Sequence, residues 1–398
     1  MVINLTETEK FIREDILDKG KISFARFVEI ALYHPEFGYY SKINPIGINS
    51  HYITSPYIHP AFGSAISKHI FLMWKFMKTP NKFQIVELGC STGILAETIC
   101  SYAKNISKDF SNAIDYFGID RSINKKYNFQ SIKSNLLPLK NISGCIISNE
   151  LIDSLPFHRF KIINHEIKEI YVTIENGTFT TILDKPSSKK IEQKLNTLKF
   201  KLPNNFEGEI CLEIEKLFSS INKTLTQGFI ITIDYGEERE YLYENKPHGT
   251  MQTYFKHTTG ASPFNRIGEQ DITANIDFSS LIEAGILNKI RPVTLCSQKE
   301  FLEIFGIKKW TEKIQSSKSL KQIEKQINLM NIKKLVQYPG LGNFKILIQE
   351  KNTGLNKSNK ILPEIDSQKE IFSNLPIPVN NISNYENKYS QFGNFIID

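Results

Sequence analysis

The sequence predicts an α/β protein: a mostly parallel, Rossmann-like sheet with helices on both faces, a helical N-terminal cover and a small antiparallel insertion. Three observations lead there. From Phe83 onward, short apolar runs alternate with helix-length segments, the pattern of parallel strands joined by crossover helices. The run FQIVEL enters a glycine turn that opens an amphipathic helix, ILAETICSYAKN. Later, HRFKIINHEIKEIYVTIENGTFTTIL alternates with period two about the hairpin signal Asn176-Gly177.

Taken in order, residues 1–80 read as a helical cover. Thr6 with Glu9 three residues on signals a helix start, Phe11, Ile12 and Ile16 share one face, and Gly20 stops the run. SFARFVEIALYHP repeats the scheme, a tyrosine-rich loop follows between Pro35 and Pro60, and AFGSAISKHIFLMWKFM is a further helix. Residues 81–157 form the first half of the core, with strands at FQIVEL, IDYFGID ending in Asp120, and GCIISN ending in Asn149. Residues 158–208 form the antiparallel insertion. Residues 209–351 complete the core through helical EICLEIEKLFSSINKTLTQ and strands at GFIITIDYG and NFKILIQEK. Residues 352–398, rich in Asn, Ser and Lys, read as an irregular tail that adds little core.

Composition excludes several classes. The chain has 398 residues, 40% hydrophobic and 23% charged, enough for a large α/β core with an accessory region. No apolar run approaches the roughly 18 to 20 residues that span a bilayer, and the first residues lack a signal-peptide pattern, so the expected location is cytoplasmic. Five scattered cysteines without a CxxC pair suggest neither a disulfide framework nor a zinc site, and the eight histidines show no ligand spacing, so no metal is expected. The net charge of +7 is spread along the chain, which favours a solvated lysine-rich surface over a nucleic-acid site. Nothing in the sequence decides between a monomer and a homodimer.

The turn Gly89-Cys90-Ser91-Thr92-Gly93 admits two chemistries. Gly89-x-Ser91-x-Gly93 fits a hydrolase elbow with Ser91 as nucleophile, and Asp234 and His257 follow in the matching order. An elbow, however, follows several strands, and the residues before Phe83 have little strand character. The nucleotide reading accounts for more residues: Gly89, Ser91 and Gly93 let backbone approach a cofactor, while Asp120, ending the next strand, accepts both ribose hydroxyls. Glu87 before the turn adds a second carboxylate, which suits a cationic cofactor without phosphate, S-adenosyl-L-methionine.

The chain also resembles the MidA-like family of class I S-adenosylmethionine-dependent methyltransferases, which includes protein arginine methyltransferases. FVEIALYHPEFGYYS, VELGCSTGIL, IISNELIDSLPFHRF, IDYG, HGTMQTY, DITANIDFSSL and LGNFKILIQ carry the resemblance, from about Phe24 to Lys351. It implies the class I methyltransferase sheet and a protein or small-molecule methyl acceptor. Family members usually have Gly at Ser91, a GDF-like step at Ser50-His51-Tyr52, an acid at Tyr57, Arg at Gln252 and His at Asn275.

The reacting edge is expected at Asn149-Glu150-x-x-Asp153, the carboxyl end of a central strand. Asn149 would hold the methionine portion, Glu150 and Asp153 would orient a guanidinium or take a proton from another acceptor, and Asp234 is a further candidate for substrate binding. Thr54 and Ser55 would close over the cofactor, and His158 is expected as a surface histidine before a base. Protein arginine N-methylation is the first expectation. O-methylation of a small molecule or peptide, hydrolysis through Ser91 and a non-catalytic assembly role are the alternatives.

Overall fold

Strands that are apolar on both faces must be covered on both faces, and the central sheet is built from such strands. The computed structural model describes residues 5–42, 54–123, 126–256, 258–260, 262–355, 372 and 375–380. Its seven-stranded sheet contains β1 (Phe83–Leu88), β2 (Ile114–Asp120), β3 (Gln130–Lys133), β4 (Ile142–Asn149), β5 (Leu225–Asp234), β6 (Arg291–Ser297) and β7 (Lys345–Lys351). The spatial order is β6-β7-β5-β4-β1-β2-β3. Only β7 runs antiparallel to its neighbours β5 and β6.

Alternation along each strand divides the core in two. Ile85, Ile147, Ile231 and Ile346 face the layer that holds helices Ala61–Phe76 and Ile94–Ile106. Val86, Ile146, Ile230 and Leu347 face the layer that holds Glu213–Thr224 and Phe278–Leu287. At the middle of the sheet Gly144 and Gly228 pair in register, at φ 152° and 143°. A Cβ on Gly228 would fall 1.9 Å from the Gly144 carbonyl oxygen, so glycine is what lets these strands close.

The N-terminal cover begins as its residues require. The Thr6 hydroxyl accepts from the Glu9 amide at 3.1 Å, helix Glu7–Lys19 buries Ile12 and Ile16, and Gly20 ends it at φ 78°. Phe11 stands 36% exposed instead of sharing that buried face, because Ile12 and Ile16 already fill the i, i+4 contact. Helix Phe24–Tyr33 follows, and Ile22–Ser23 pairs with strand Glu166–Glu175, so the cover is stitched to the insertion.

The insertion strands His158–Ile163, Glu166–Glu175, Thr178–Asp184 and Glu207–Ile210 pair antiparallel, with Asn176 and Gly177 at φ 50° and 78° in the expected turn. Here the sequence reading needs correction. Glu209 and Ile210 belong to a strand and the helix starts only at Glu213, since backbone pairing to His158–Ile163 overrides helical periodicity. β5 begins at Leu225, not Gly228, and β3 and β6 were not anticipated: Gln130–Lys133 is largely exposed at the sheet edge, and Pro292 interrupts the apolar run of β6. Leu355 and Phe372 are buried in the main core, so the tail contributes more packing than its composition suggests.

Candidate cofactor cleft and acceptor site

The chain leaves β1 through a turn whose backbone is left-handed at three points: Gly89 at φ 73°, Ser91 at 45° and Gly93 at 76°. A Cβ on Gly89 would meet the Leu151 side chain at 3.0 Å, and one on Gly93 would meet Tyr127 at 2.7 Å, so the two glycines are sterically required. Ser91 adopts the same conformation with a side chain, at a cost of roughly 1–2 kcal/mol for a residue that is not glycine. Two interactions hold it: its amide donates to Asp120 Oδ2 at 2.9 Å, and the Tyr127 hydroxyl donates to its carbonyl.

This turn and the end of β2 border a cleft of about 310 Å³ lined by Gly89, Ser91, Asp120, Arg121, Asn135 and Glu150 among others. Asp120 accepts from the Ser91 and Ser122 amides, one on each oxygen, which leaves acceptor capacity on both oxygens for a pair of hydroxyls. The opposite wall comes from the N-terminal cover. Tyr33 stacks on Tyr40 at 5.4 Å, lies under the Arg121 guanidinium at 4.2 Å, and donates to the Ser154 carbonyl at 2.9 Å. Sequence reasoning missed Arg121, Tyr33 and Asn135 as cleft residues. Arg121 was findable from its place beside Asp120, whereas Tyr33 reaches the cleft only through tertiary packing.

Glu87 is not among the residues lining the cleft. It shares the face of β1 with Ile85, is 4% exposed, and accepts from the Tyr116 hydroxyl at 2.9 Å. Burial pushes its carboxyl up to about 8, the Tyr116 bond opposes this, and the nearby Asp120 charge adds to it. It is held near neutrality inside the core, not presented to a cation.

The ends of β4 and β5 converge on a second polar group. Glu150 sits at φ 50° after Asn149, with its amide donating to the Ile233 carbonyl at 2.9 Å. Its carboxylate accepts from Asn149 Nδ2 at 3.1 Å, and the Ser55 backbone stands close enough to favour its charged form. Burial first, then the Asp153 charge, push the Glu150 carboxyl up to about 8.

Asp234 is fully buried and accepts from the backbone amides of Ile152, Asp153 and Tyr235 at 3.0, 3.3 and 2.9 Å. It therefore clamps the turn that carries Asp153. Burial raises both Asp153 and Asp234, and the neighbouring carboxylates raise Asp234 further. Four enclosed atoms here make no hydrogen bond: Asn149 Oδ1, Asp153 Oδ1, the Tyr235 hydroxyl and Thr273 Oγ1. The Tyr235 hydroxyl stands beside Asp153 and Thr273 without closing a bond to either.

Thr54 and Ser55 are buried and do not line the cleft; the Ser55 hydroxyl donates to Gln298 Oε1 at 2.9 Å. Their segment touches the site through Tyr57, whose hydroxyl bonds that of Thr92 in the glycine turn, and the Ser55 backbone stands beside Glu150. His158 is not a surface residue. Its Nδ1 lies 2.7 Å from the fully buried Glu169 carboxylate in the insertion sheet. His257 of the hydrolase reading and Ser50-His51-Tyr52 lie outside the described residues, and Asp234 of that triad is committed to backbone amides. Among the described residues no group of His, Cys, Asp or Glu is placed to hold a metal, and no helix is long and apolar enough to cross a membrane.

A sheet in this order, a glycine turn after its first strand and an acid ending its second define a class I methyltransferase. Residues 65–294 match the family model for S-adenosyl-L-methionine-dependent methyltransferases, and the chain belongs to that family, the MidA-like enzymes its motifs resemble. Its cofactor is S-adenosyl-L-methionine, and the hydrolase reading falls.

The chain is 22% identical over 307 residues to the Drosophila melanogaster mitochondrial protein arginine methyltransferase NDUFAF7 homolog, covering 68% of each chain. It is 24% identical over 340 residues to mitochondrial NDUFAF7 of Danio rerio, covering 75% of this chain and 76% of that one. A COG1565 superfamily structure from Burkholderia thailandensis, solved with S-adenosyl-homocysteine, shares the fold with a TM-score of 0.74 at 21% identity, covering 86% of this chain and 91% of that one. The cytoplasmic expectation is overturned by these relatives, which are named as mitochondrial proteins.

Proposed function

We propose that the protein methylates the guanidinium of a protein arginine. The observation that carries this reading is the set of four enclosed, unbonded atoms, Asn149 Oδ1, Asp153 Oδ1, Tyr235 Oη and Thr273 Oγ1, beside the carboxylates of Glu150 and Asp234. Every one of the four can accept, and two of them can only accept. A guanidinium brings five N–H donors in a plane and a permanent charge, so it satisfies such a group of acceptors, whereas an acceptor carboxylate would be repelled by it. The relatives named as protein arginine methyltransferases support the same reading.

In this reading Gly89, Ser91 and Gly93 admit the cofactor to the backbone, Asp120 accepts its ribose hydroxyls, and Asn149 faces its methionine portion. When bound, the cofactor would supply a methyl group on a sulfonium, its C–S bond breaking as the N–C bond forms. Glu150 and Asp153 draw the guanidinium charge toward the nitrogens they contact, which leaves the lone pair on the reacting nitrogen, and orient it in line. Asp234 keeps its hold on the turn and does not touch the substrate. The nitrogen then sheds one proton, which Glu150, with its carboxyl raised to about 8, is suited to receive.

The test is transfer from labelled cofactor to a lysate of the source cells, with Glu150→Gln as comparison. Label recovered as methylarginine in protein, and lost in Glu150→Gln, is the expected result. Label confined to small molecules would end the arginine reading.

A further inference from the structure

Residues 375–380, in the segment expected to be an irregular tail, are tied to the core at both ends. The Tyr102 hydroxyl of helix Ile94–Ile106 donates to the Pro376 carbonyl at 3.1 Å, and Leu375 and Ile377 pack against the main core. At Asn380 the backbone amide donates to Asn328 Oδ1 at 2.8 Å, and Nδ2 donates to the Ile58 carbonyl at 3.1 Å. Ile58 ends the short helix Ser55–Ile58, whose last carbonyls have no partner within the helix. Asn380 satisfies one of them from outside.

Asn328, fully buried in helix Gln322–Val336, joins this contact to the next residue of the same segment. Its Oδ1 also lies 2.8 Å from His59 Nε2, and its Nδ2 donates to the Glu324 carbonyl at 2.8 Å. His59 Nδ1 accepts from the Ala61 amide at 3.1 Å, so the ring proton sits on Nε2 and points at Asn328. Burial pushes the His59 pKa down to about 4, which keeps the ring neutral and this direction of donation fixed. Every donor in the cluster has an acceptor, and the segment Thr54–His59 is thereby pinned at its far end.

The near end of that segment reaches the site twice. The Tyr57 hydroxyl bonds Thr92 in the cofactor turn, and the Ser55 backbone stands beside the Glu150 carboxylate and favours its charged form. We propose that Asn380 and Asn328 are positioning residues for methyl transfer: the C-terminal segment is a strap that holds Thr54–His59 so that Tyr57 stays on the glycine turn and the Ser55 backbone stays beside Glu150. The strap touches neither cofactor nor acceptor. It acts through the segment between, and the inference rests on the methyltransferase reading of the site.

The experiment is Asn380→Ala in the full chain, with Tyr102→Phe as a second variant that loosens the strap at Pro376 and leaves Asn380 in place. Three quantities are read: amide hydrogen exchange across 54–59, the dissociation constant for S-adenosyl-homocysteine, and the pH dependence of kcat/KM. Exchange in 54–59 is expected to quicken about tenfold or more in Asn380→Ala while the strands of the central sheet keep their protection. Cofactor binding weakens severalfold as the Tyr57 contact loosens. The acidic limb of kcat/KM moves to higher pH, because Glu150 loses the neighbouring Ser55 backbone that favours its charged form while Asp153, Asp234 and Tyr254, which also face it, are unchanged. A residue that only stabilised the fold would lower Tm without moving that limb.

Unchanged exchange in 54–59 in both variants overturns the strap, as does a loss of protection spread evenly over the protein with the pH limb fixed. If the wild type methylates no arginine peptide, the acceptor assignment fails by itself. Exchange and S-adenosyl-homocysteine binding still decide the strap.

Discussion

Asp120 and Ser91 form one unit, since the carboxylate that faces the cleft also holds the Ser91 amide. Asp120→Ala removes the proposed ribose acceptors and releases the strained turn together, so S-adenosyl-homocysteine binding should weaken by about 1.5–3 kcal/mol, read by calorimetry. A folded variant with an unaltered dissociation constant would refute the role of Asp120. Ser91 is the converse case. At φ 45° a glycine relieves strain, so Ser91→Gly should raise unfolding stability by about 1 kcal/mol and leave cofactor binding equal or tighter. Weaker binding in that variant would show that the hydroxyl itself contacts the cofactor.

Strand β1 carries a buried acid, and that has a consequence for pH. The Glu87 carboxyl is raised from an ordinary 4.5 to about 8, so between those values the native state keeps a proton that the unfolded chain has released. Stability therefore falls as pH rises through this window and levels off once both states are ionised. Glu87→Gln keeps an acceptor for the Tyr116 hydroxyl and cannot ionise. Its stability relative to wild type should improve by about 1–3 kcal/mol between pH 5 and pH 9, followed by chemical denaturation at each pH. An advantage that does not change with pH would mean the carboxyl ionises freely in the fold. The strand itself was readable from its apolar run, but its pairing between β2 and β4 was not, and it is that pairing that sets Tyr116 against Glu87.

For the molecule as a whole, the least expected charge is Lys68, on the helix that covers one face of the sheet. It is 3% exposed, donates to the Phe305 carbonyl at 2.9 Å, and lies 4.0 Å from the Trp310 ring centre and 5.1 Å from that of Phe372. Burial lowers its pKa to about 7, with Lys309 and Lys313 contributing. Between that value and an ordinary 10.5 the unfolded chain holds a proton the native state lacks, so this residue makes stability rise with pH, opposite to Glu87. Lys68→Met should accordingly stabilise most below pH 7 and lose that advantage toward pH 10. Denaturation midpoints at pH 6 and pH 10 measure it, and an equal gain at both values would exclude an ionisation origin.

The sequence by itself determined the strands at Phe83, Ile114 and Gly144, the hairpin at Asn176-Gly177, the glycine turn with Asp120, and the family, because each is written in a few neighbouring residues whose period, turn chemistry or order is local. Tertiary structure decided where the side chains point. Glu87 and Asp234 are acids at strand ends exactly as legible as Asp120, yet register turns Glu87 toward Tyr116 and commits Asp234 to three backbone amides. Tyr33 and Thr273 join the site only through tertiary packing, Tyr235 lies beside Asp234 but its enclosed hydroxyl is fixed only by the fold, and Asn380 reaches Ile58 across most of the chain. Burial and hydrogen-bond direction are properties of contacts between segments, and those exist only once the chain has folded.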